Sequence, residues 1–494
     1  MTDLNPNPSH FLSTALPALL ETSVDPQQKL LTLFHRAAKA VPAYRQFLAE
    51  RQINPAAIED FAAFQQLPLM TKANYMQVYS LPERCFGGSL QGADRVAVSS
   101  GSTGQPTFWP RSLAYEQDVA VRFEQVFHDS FAASDRTTLA VVCFALGNWV
   151  GGMFTTSCCW HLAAKAYPLM VATPGNNKAE IFRVVRELAP HFQQTVLLGY
   201  PPFIKDVLDA GAAEGINWSA YAVKTVFAGE VFSEEWRQLL AKLTGSNHPC
   251  FDSASLYGTA DGGVLGNETP LSIAIRRWLA LNPDAAVQLF GEARLPSLLQ
   301  YDPASRYFET VDNTLVVSAE NSVPLLRYHI ADKGGIISFA QMWQFLRAQG
   351  IADYAGLGLS NQFQPRLQPF VYVFGRADFT VSYYGANIYP ENISVGLEQA
   401  ELSGSVTGKF VLQVIENAMG NNYLHIAVEL LPNLQPSADL SETIAQSVRR
   451  QLLRLNSEYA HYIPADRQLP IISLYEFADP EYFPAGVKHR YTRK

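Results

Sequence analysis

Cysteine is scarce in this chain and poorly spaced for a structural role. The five residues, Cys85, Cys143, Cys158, Cys159 and Cys250, are odd in number and none stands at CxxC spacing. That excludes a disulfide framework and a thiolate zinc site. Most of these cysteines sit in apolar runs as core residues, and a reducing, cytoplasmic compartment fits. Positive charge is short too, with 37 Lys and Arg against 45 Asp and Glu and a net charge of -8. No basic block supplies the phosphate-neutralising term, so nucleic acid is excluded as a main partner. An unbroken apolar run is also missing. Residues 137–164 carry no Asp, Glu, Lys or Arg, yet Gly147-Asn148 and Gly151-Gly152 interrupt them and Thr155, Thr156, Ser157 and His161 make them semi-polar. The expectation is a buried strand over 138–145, a glycine-rich turn and a buried helix, with no membrane insertion. His161 beside Cys158 and Cys159 does not close a tetrahedral site and reads as a core histidine. Met1 to Ser9 lacks the basic-then-apolar pattern of a signal peptide.

What is present is an ordinary globular composition: 494 residues, 48% hydrophobic and 17% charged. That length suggests two to four domains. Residues 27–51 read as helix broken at Pro42. From about 95 to 270, strand candidates at 95–98, 138–145, 195–198 and 223–227 alternate with amphipathic helices at 178–192, 202–210 and 233–243. Such alternation predicts an α/β unit with mainly parallel sheet covered by helices. Ligands of such sheets sit at the carboxyl ends of strands. A second region begins near 376. Strands at 410–415, 425–430 and 471–474 with a helix at 440–455 predict a small α+β unit. Gly375-Arg376-Ala377-Asp378 stands at the boundary as a hinge.

One stretch carries the chemistry furthest. Ser99-Ser100-Gly101-Ser102-Thr103-Gly104-Gln105-Pro106-Thr107 follows directly on an apolar strand candidate. Glycines let backbone N–H groups approach a ligand, and hydroxyls add neutral donors, so such a loop can wrap phosphate oxygens. It is no Walker loop, because the GK[ST] ending is absent and Thr107 stands where lysine is expected. Taken alone, it reads first as a polar surface turn. Four further stretches follow in order: Phe227-Ala228-Gly229-Glu230; Asp252-Ser253-Ala254-Ser255-Leu256-Tyr257-Gly258-Thr259-Ala260-Asp261; Val323 to Asp332; and Phe374 to Asp378 followed by Tyr384-Gly385-Ala386-Asn387-Ile388-Tyr389-Pro390.

In that order these motifs resemble the adenylate-forming superfamily of acyl-CoA synthetases, luciferases and nonribosomal adenylation domains. The Pro-Thr loop ending, the Gly-Ala-Asn-Ile-Tyr-Pro motif and the N-terminal Pro-Ala-Tyr-Arg-Gln-Phe stretch are similar to the phenylacetate–CoA ligase branch. The resemblance implies a large domain over residues 1–375 and a small mobile domain over 376–494. It implies that MgATP and a carboxylic acid, here aromatic, give acyl-AMP and pyrophosphate, followed by acyl transfer to coenzyme A. An amine, a hydroxyl or a carrier-protein thiol stays open as acceptor, as do a homodimer and a non-catalytic nucleotide-binding homologue.

By the same resemblance, Ser99, Ser100, Gly101, Ser102, Thr103, Gly104 and Thr107 would hold the β- and γ-phosphates. Gly229 and Glu230, with Asp252 to Ser255 (Asp252 and Ser253 above all), would line the adenine pocket, Tyr257 would pack near the adenine, and Gly258 would help bind the nucleotide. Thr259 would donate to the α-phosphate. Asp261 would bind Mg²⁺ where relatives carry glutamate. Asp332 would accept both ribose hydroxyls, with Arg376 near the ribose–phosphate region. Asp378 would be the hinge, and Gly385 would border the pantetheine tunnel. Lys488 would align ATP and carboxylate, although Val487 separates it from the usual glycine. Phe379 and Ser382 also depart from the hinge pattern. Phe144, Asn148, Trp149, Gly152 and Tyr200 are acyl-pocket candidates and, equally, core packing.

Overall fold

The computed structural model describes residues 9–20, 25–99, 107–291, 295–376, 380–402, 404–483 and 492. Eighteen strands are present among them. β1 (Arg95–Ser99) and β2 (Thr107–Arg111) form a hairpin of their own. The main sheet has eleven strands: β3 (Thr138–Val142), β4 (Leu169–Ala172), β5 (Gln194–Gly199), β6 (Val223–Ala228), β7 (Ser253–Thr259), β8 (Gly263–Asn267), β9 (Ser297–Gln300), β10 (Arg306–Val311), β11 (Thr314–Ala319), β12 (Leu325–Ile337) and β13 (Phe370–Arg376). β14 (Val381–Tyr383) pairs with β15 (Ala386–Ile388), and β16 (Val406–Glu416), β17 (Asn422–Leu430) and β18 (Ile471–Tyr475) form a third sheet.

Every strand up to Arg376 thus belongs to the hairpin or the main sheet, and every strand after it to the two small sheets. The sheet runs β10-β11-β12-β13-β9-β8-β7-β6-β5-β3-β4. The five strands from β7 to β4 are parallel, which the β/α alternation anticipates. Pairings from β8 onward are antiparallel. β7 and β8, and β10, β11 and β12, follow one another through short turns, which antiparallel neighbours allow; the helices Pro270–Ala280 and Pro283–Phe290 separate β8 from β9, and Phe339–Ala348 separates β12 from β13.

Local chemistry accounts for the elements that frame the site. β3 and β5 are buried along their whole length, as strands covered on both faces must be. Between them the charge-free stretch continues as the helix Val150–Ala164, with Cys158 and Cys159 wholly buried. Ser233 caps the helix Glu234–Thr244 by accepting from the Trp236 N–H, and Pro201 opens the helix Pro201–Ala213. The helix Ala438–Leu455 turns Ile444, Ala445, Val448 and Leu452 inward against the small sheet. Pro190 ends the helix Lys178–Leu188 short of the expected 192. No described helix is long and apolar enough to cross a membrane. One buried cluster runs from Leu139 and Leu197 of the main sheet through Tyr200 and Phe227 to Tyr384, Ile426 and Tyr459, so the two parts share a core.

Candidate active site

The carboxyl ends of β1, β6 and β7 open onto one cavity of about 280 Å³. Ser99 stands at its edge, where the β1–β2 hairpin pairs Ser99 with Thr107 and the Trp109 indole N–H donates to Ser99 Oγ at 3.1 Å. Ser100, Gly101, Ser102, Thr103 and Gly104 lie outside the described residues, as do Asp378 and Lys488. Gly229, Glu230, Ser255, Tyr257, Gly258, Thr259 and Asp261 all line the cavity, with Asp332 and Gly375 across from them.

Tyr257 OH donates to Asp332 Oδ2 at 2.6 Å, so a β7 side chain orients a carboxylate of β12. β12 and β13 place the Arg376 backbone opposite Asp332. The Thr259–Gly262 turn is held from below. Arg111, fully buried at the end of β2, donates Nη2 to the Ala260 carbonyl and, at 2.8 Å, to the Asp261 carbonyl. Thr259 Oγ1 accepts the Gly262 N–H at 2.9 Å. Burial alone would raise the Asp261 carboxyl, but the Lys72 charge and hydrogen bonds with Thr259 and Tyr328 hold it below the usual carboxylate range. Among the described residues no group of three or more His, Cys, Asp or Glu converges on a metal. Asp261, as one hard oxygen donor, fits a cation that takes its other ligands from phosphate and water, not a cage built by protein.

Apolar side chains line the cavity too. Phe123, Phe144, Val150, Gly151, Phe154 and Val264 form its wall. The small sheets complete it. Gly385, Asn387, Tyr389, Glu458 and Tyr462 all reach the same cavity. The Tyr200 ring lies against Gly385 and Gly229. A Cβ on Gly385 would stand 2.1 Å from it, and one on Gly229 2.9 Å. Both glycines have positive φ, so glycine is required there for backbone and for space. Tyr200 stacks on Tyr462 with centroids 5.1 Å apart, and Phe144 meets its edge at 4.8 Å. Gly385 N–H donates to Glu230 Oε1 at 2.6 Å, which ties the two parts together at the cavity. Glu230 is half-buried, and that burial pushes its carboxyl up to about 7 despite the amide.

Several sequence candidates stand elsewhere. Asp252 pairs with Lys224 and accepts from Ser246, while Ser253 Oγ accepts from Arg237 at 2.7 Å. Neither lines the cavity, and both brace the start of β7. The Asn148 carbonyl accepts the Val98 N–H at 2.9 Å. Trp149 packs on Tyr462 and His461. A Cβ on Gly152 would stand 2.2 Å from the Ala145 carbonyl, so that glycine serves packing. His161 Nε2 lies 3.7 Å from Glu116, and all five cysteines are free. Conversely, Lys72, Arg111, Glu458 and Tyr462 are site residues that sequence reading passes over. Lys72 follows Thr71, the cap of a short turn that Met70 ties to Tyr328 of β12. Glu458 and Tyr462 lie on the short helix Ser457–Tyr462, whose cap Asn456 was the only local signal.

No family model matches the sequence, and neither does any curated protein. Solved structures do. The chain is similar to 2-hydroxyisobutyryl-CoA ligase in complex with 2-HIB-AMP and CoA in the thioesterification state, at 15% identity over 94% of this chain and 88% of that chain, TM-score 0.63. An open conformation of that ligase, with the same ligands, gives 15% identity over 94% and 90% and a TM-score of 0.52. The postadenylation state with 2-HIB-AMP gives 16% over 94% and 87% and 0.51. At these identities the likeness establishes the fold alone, the one that 2-hydroxyisobutyryl-CoA ligase has.

Proposed function

We propose that this chain activates a carboxylic acid with ATP and passes the acyl group to coenzyme A, in the manner of the phenylacetate–CoA ligase branch. A carboxylate oxygen attacks the α-phosphorus and pyrophosphate leaves. The thiol sulfur then attacks the acyl carbon, losing its proton, and AMP leaves. The observation that carries this reading is convergence: residues near 99, 230, 260, 332, 385 and 458 meet on one cavity lined by both polar and aromatic side chains. Asp332, oriented by Tyr257, accepts the ribose hydroxyls. Thr259 lies where the α-phosphate would be held. The wall of Phe123, Phe144 and Phe154 suits a flat aromatic acid.

Charge supports the reading. Among the described lining residues are four carboxylates, Glu230, Asp261, Asp332 and Glu458, and one cation, Lys72. A triphosphate entering this cavity needs positive charge brought to it. Lys72 supplies part of what Thr107 does not. Asp261 would hold Mg²⁺, which neutralises phosphate charge when bound. Lys488 would supply a further cation for adenylation. Residues 1–375 form the ATP- and acid-binding domain, and 376–494 the mobile one, turning at Asp378. The higher TM-score with the thioesterification state, at equal coverage of this chain, supports a small domain disposed here for acyl transfer.

ATP–pyrophosphate exchange over a panel of carboxylic acids tests the proposal. Aromatic acids are expected to support exchange, and added CoA to yield the thioester. Exchange that leads to product only with an amine or a carrier protein reassigns the acceptor. No exchange with any acid defeats the reading in favour of a binding protein.

A further inference from the structure

Away from the cavity, one buried carboxylate of the large domain is satisfied mainly by the small one. Asp206 lies in the helix Pro201–Ala213, directly beneath the segment that carries Tyr200, and its side chain is only 2% exposed. Arg467 donates to it twice, Nε at 3.2 Å and Nη2 at 3.0 Å. Tyr384 OH donates a third bond at 2.7 Å. From its own domain, Lys178 Nζ approaches to 3.8 Å and also lies 3.7 Å from Asp466. Arg467 is itself held in place: its guanidinium lies 5.0 Å over the Tyr423 ring, and its carbonyl accepts from Tyr383 OH at 3.1 Å. Tyr384 immediately precedes Gly385, whose amide meets Glu230 in the cavity.

A desolvated carboxylate is tolerated only while its donors stay in place. When the small domain turns away, Asp206 loses Arg467 and Tyr384 together and keeps Lys178. The cost therefore falls on every orientation but this one. We propose that Asp206 is a positioning residue. By binding Arg467 and Tyr384 it selects the small-domain orientation in which Gly385, Glu458 and Tyr462 complete the cavity, and so it governs acyl transfer and not adenylation. This rests on the function proposed above, and it assigns the control of that function's second step to a contact outside the cavity.

The test uses the full chain with Asp206→Asn, Arg467→Ala and Tyr384→Phe. Two rates are compared: pyrophosphate exchange with an accepted acid, and thioester formation from supplied acyl-AMP and CoA. Transfer is expected to fall about tenfold or more in Asp206→Asn and Arg467→Ala, and less in Tyr384→Phe, while exchange stays within about twofold. The double variant Asp206→Asn/Arg467→Ala should be no worse than either single one. Equal loss in both half-reactions marks a merely structural residue and overturns the proposal. A second readout is independent of activity. Asn176 Nδ2 donates to the His461 carbonyl at 2.8 Å across the same interface. In a Cys250→Ser background, Asn176→Cys/His461→Cys should be joined efficiently by a short bismaleimide, and Asp206→Asn should lower the yield severalfold. An unchanged yield overturns the anchor whatever the activity. A wild-type chain inactive with every acid, but with an Asp206-dependent yield, sinks the function and keeps the anchor.

Discussion

Glu230 shows what a single residue contributes at this interface. It accepts the Gly385 amide, yet burial raises its carboxyl from an ordinary 4.5 to about 7. The folded chain therefore binds this proton more tightly than the unfolded chain does. The stabilising contribution is complete below about pH 4.5 and is lost as pH rises through about 7. Urea titrations of wild type and Glu230→Gln across that window should differ in slope, with wild type losing up to roughly 3 kcal/mol that the amide variant retains. Identical slopes would mean that Glu230 is not the group responsible.

At the scale of the element, the short helix Ser457–Tyr462 does more than its length suggests. Asn456 caps it by accepting the Tyr459 N–H at 3.0 Å, and its amide also donates to the Asn387 carbonyl at 2.8 Å and to Asn392 Oδ1 at 3.2 Å. Glu458, the second residue of the helix, accepts from the Asn387 N–H at 3.0 Å. The helix thus fixes the β14–β15 hairpin whose Gly385 faces Tyr200. Asn456 is 1% exposed, so Asn456→Ala removes a cap and strands a buried carbonyl. The expected loss is roughly 2–4 kcal/mol in chemical denaturation. Alongside it the KM for coenzyme A should rise as Glu458 and Gly385 lose their register. A loss within a few tenths of a kcal/mol would show that the helix is held by packing alone.

At the scale of the whole molecule, the proposed function turns on where residues 376–494 stand. The described residues on either side of 484–491 both attach to the three-stranded sheet: Phe483 is buried against Val411 and Ala427, and Thr492 bridges to Leu412. Lys488 lies between them in sequence, outside the described residues. Lys488→Ala should abolish pyrophosphate exchange and spare thioester formation from supplied acyl-AMP. Exchange at the wild-type rate would remove Lys488 from the mechanism. The anchor at Asp206 predicts the opposite pattern, loss of transfer with exchange retained, so the two variants separate the two orientations in one assay pair.

How much of this was legible depended on the range over which each constraint acts. Strand and helix periodicity, the Ser99–Thr107 cluster, the Tyr257–Asp261 and Val323–Asp332 stretches and the Gly-Ala-Asn-Ile-Tyr-Pro motif are local. Backbone conformation and residue chemistry write them into consecutive positions, and the α/β class with its small C-terminal sheet follows from them. The antiparallel half of the main sheet was not legible, because strand direction is set by which neighbour a strand meets. Nor was Asp252 separable from true cavity residues: in the sequence it neighbours Tyr257, while in space it neutralises Lys224. The pairing of Asp206 with Arg467 and Tyr384, the seating of Tyr200 between Gly229 and Gly385, and the arrival of Lys72 and Glu458 at one cavity belong to the tertiary structure alone. Each depends on side chains far apart in sequence being buried together, where a charge must find its partner, and no local pattern records that requirement.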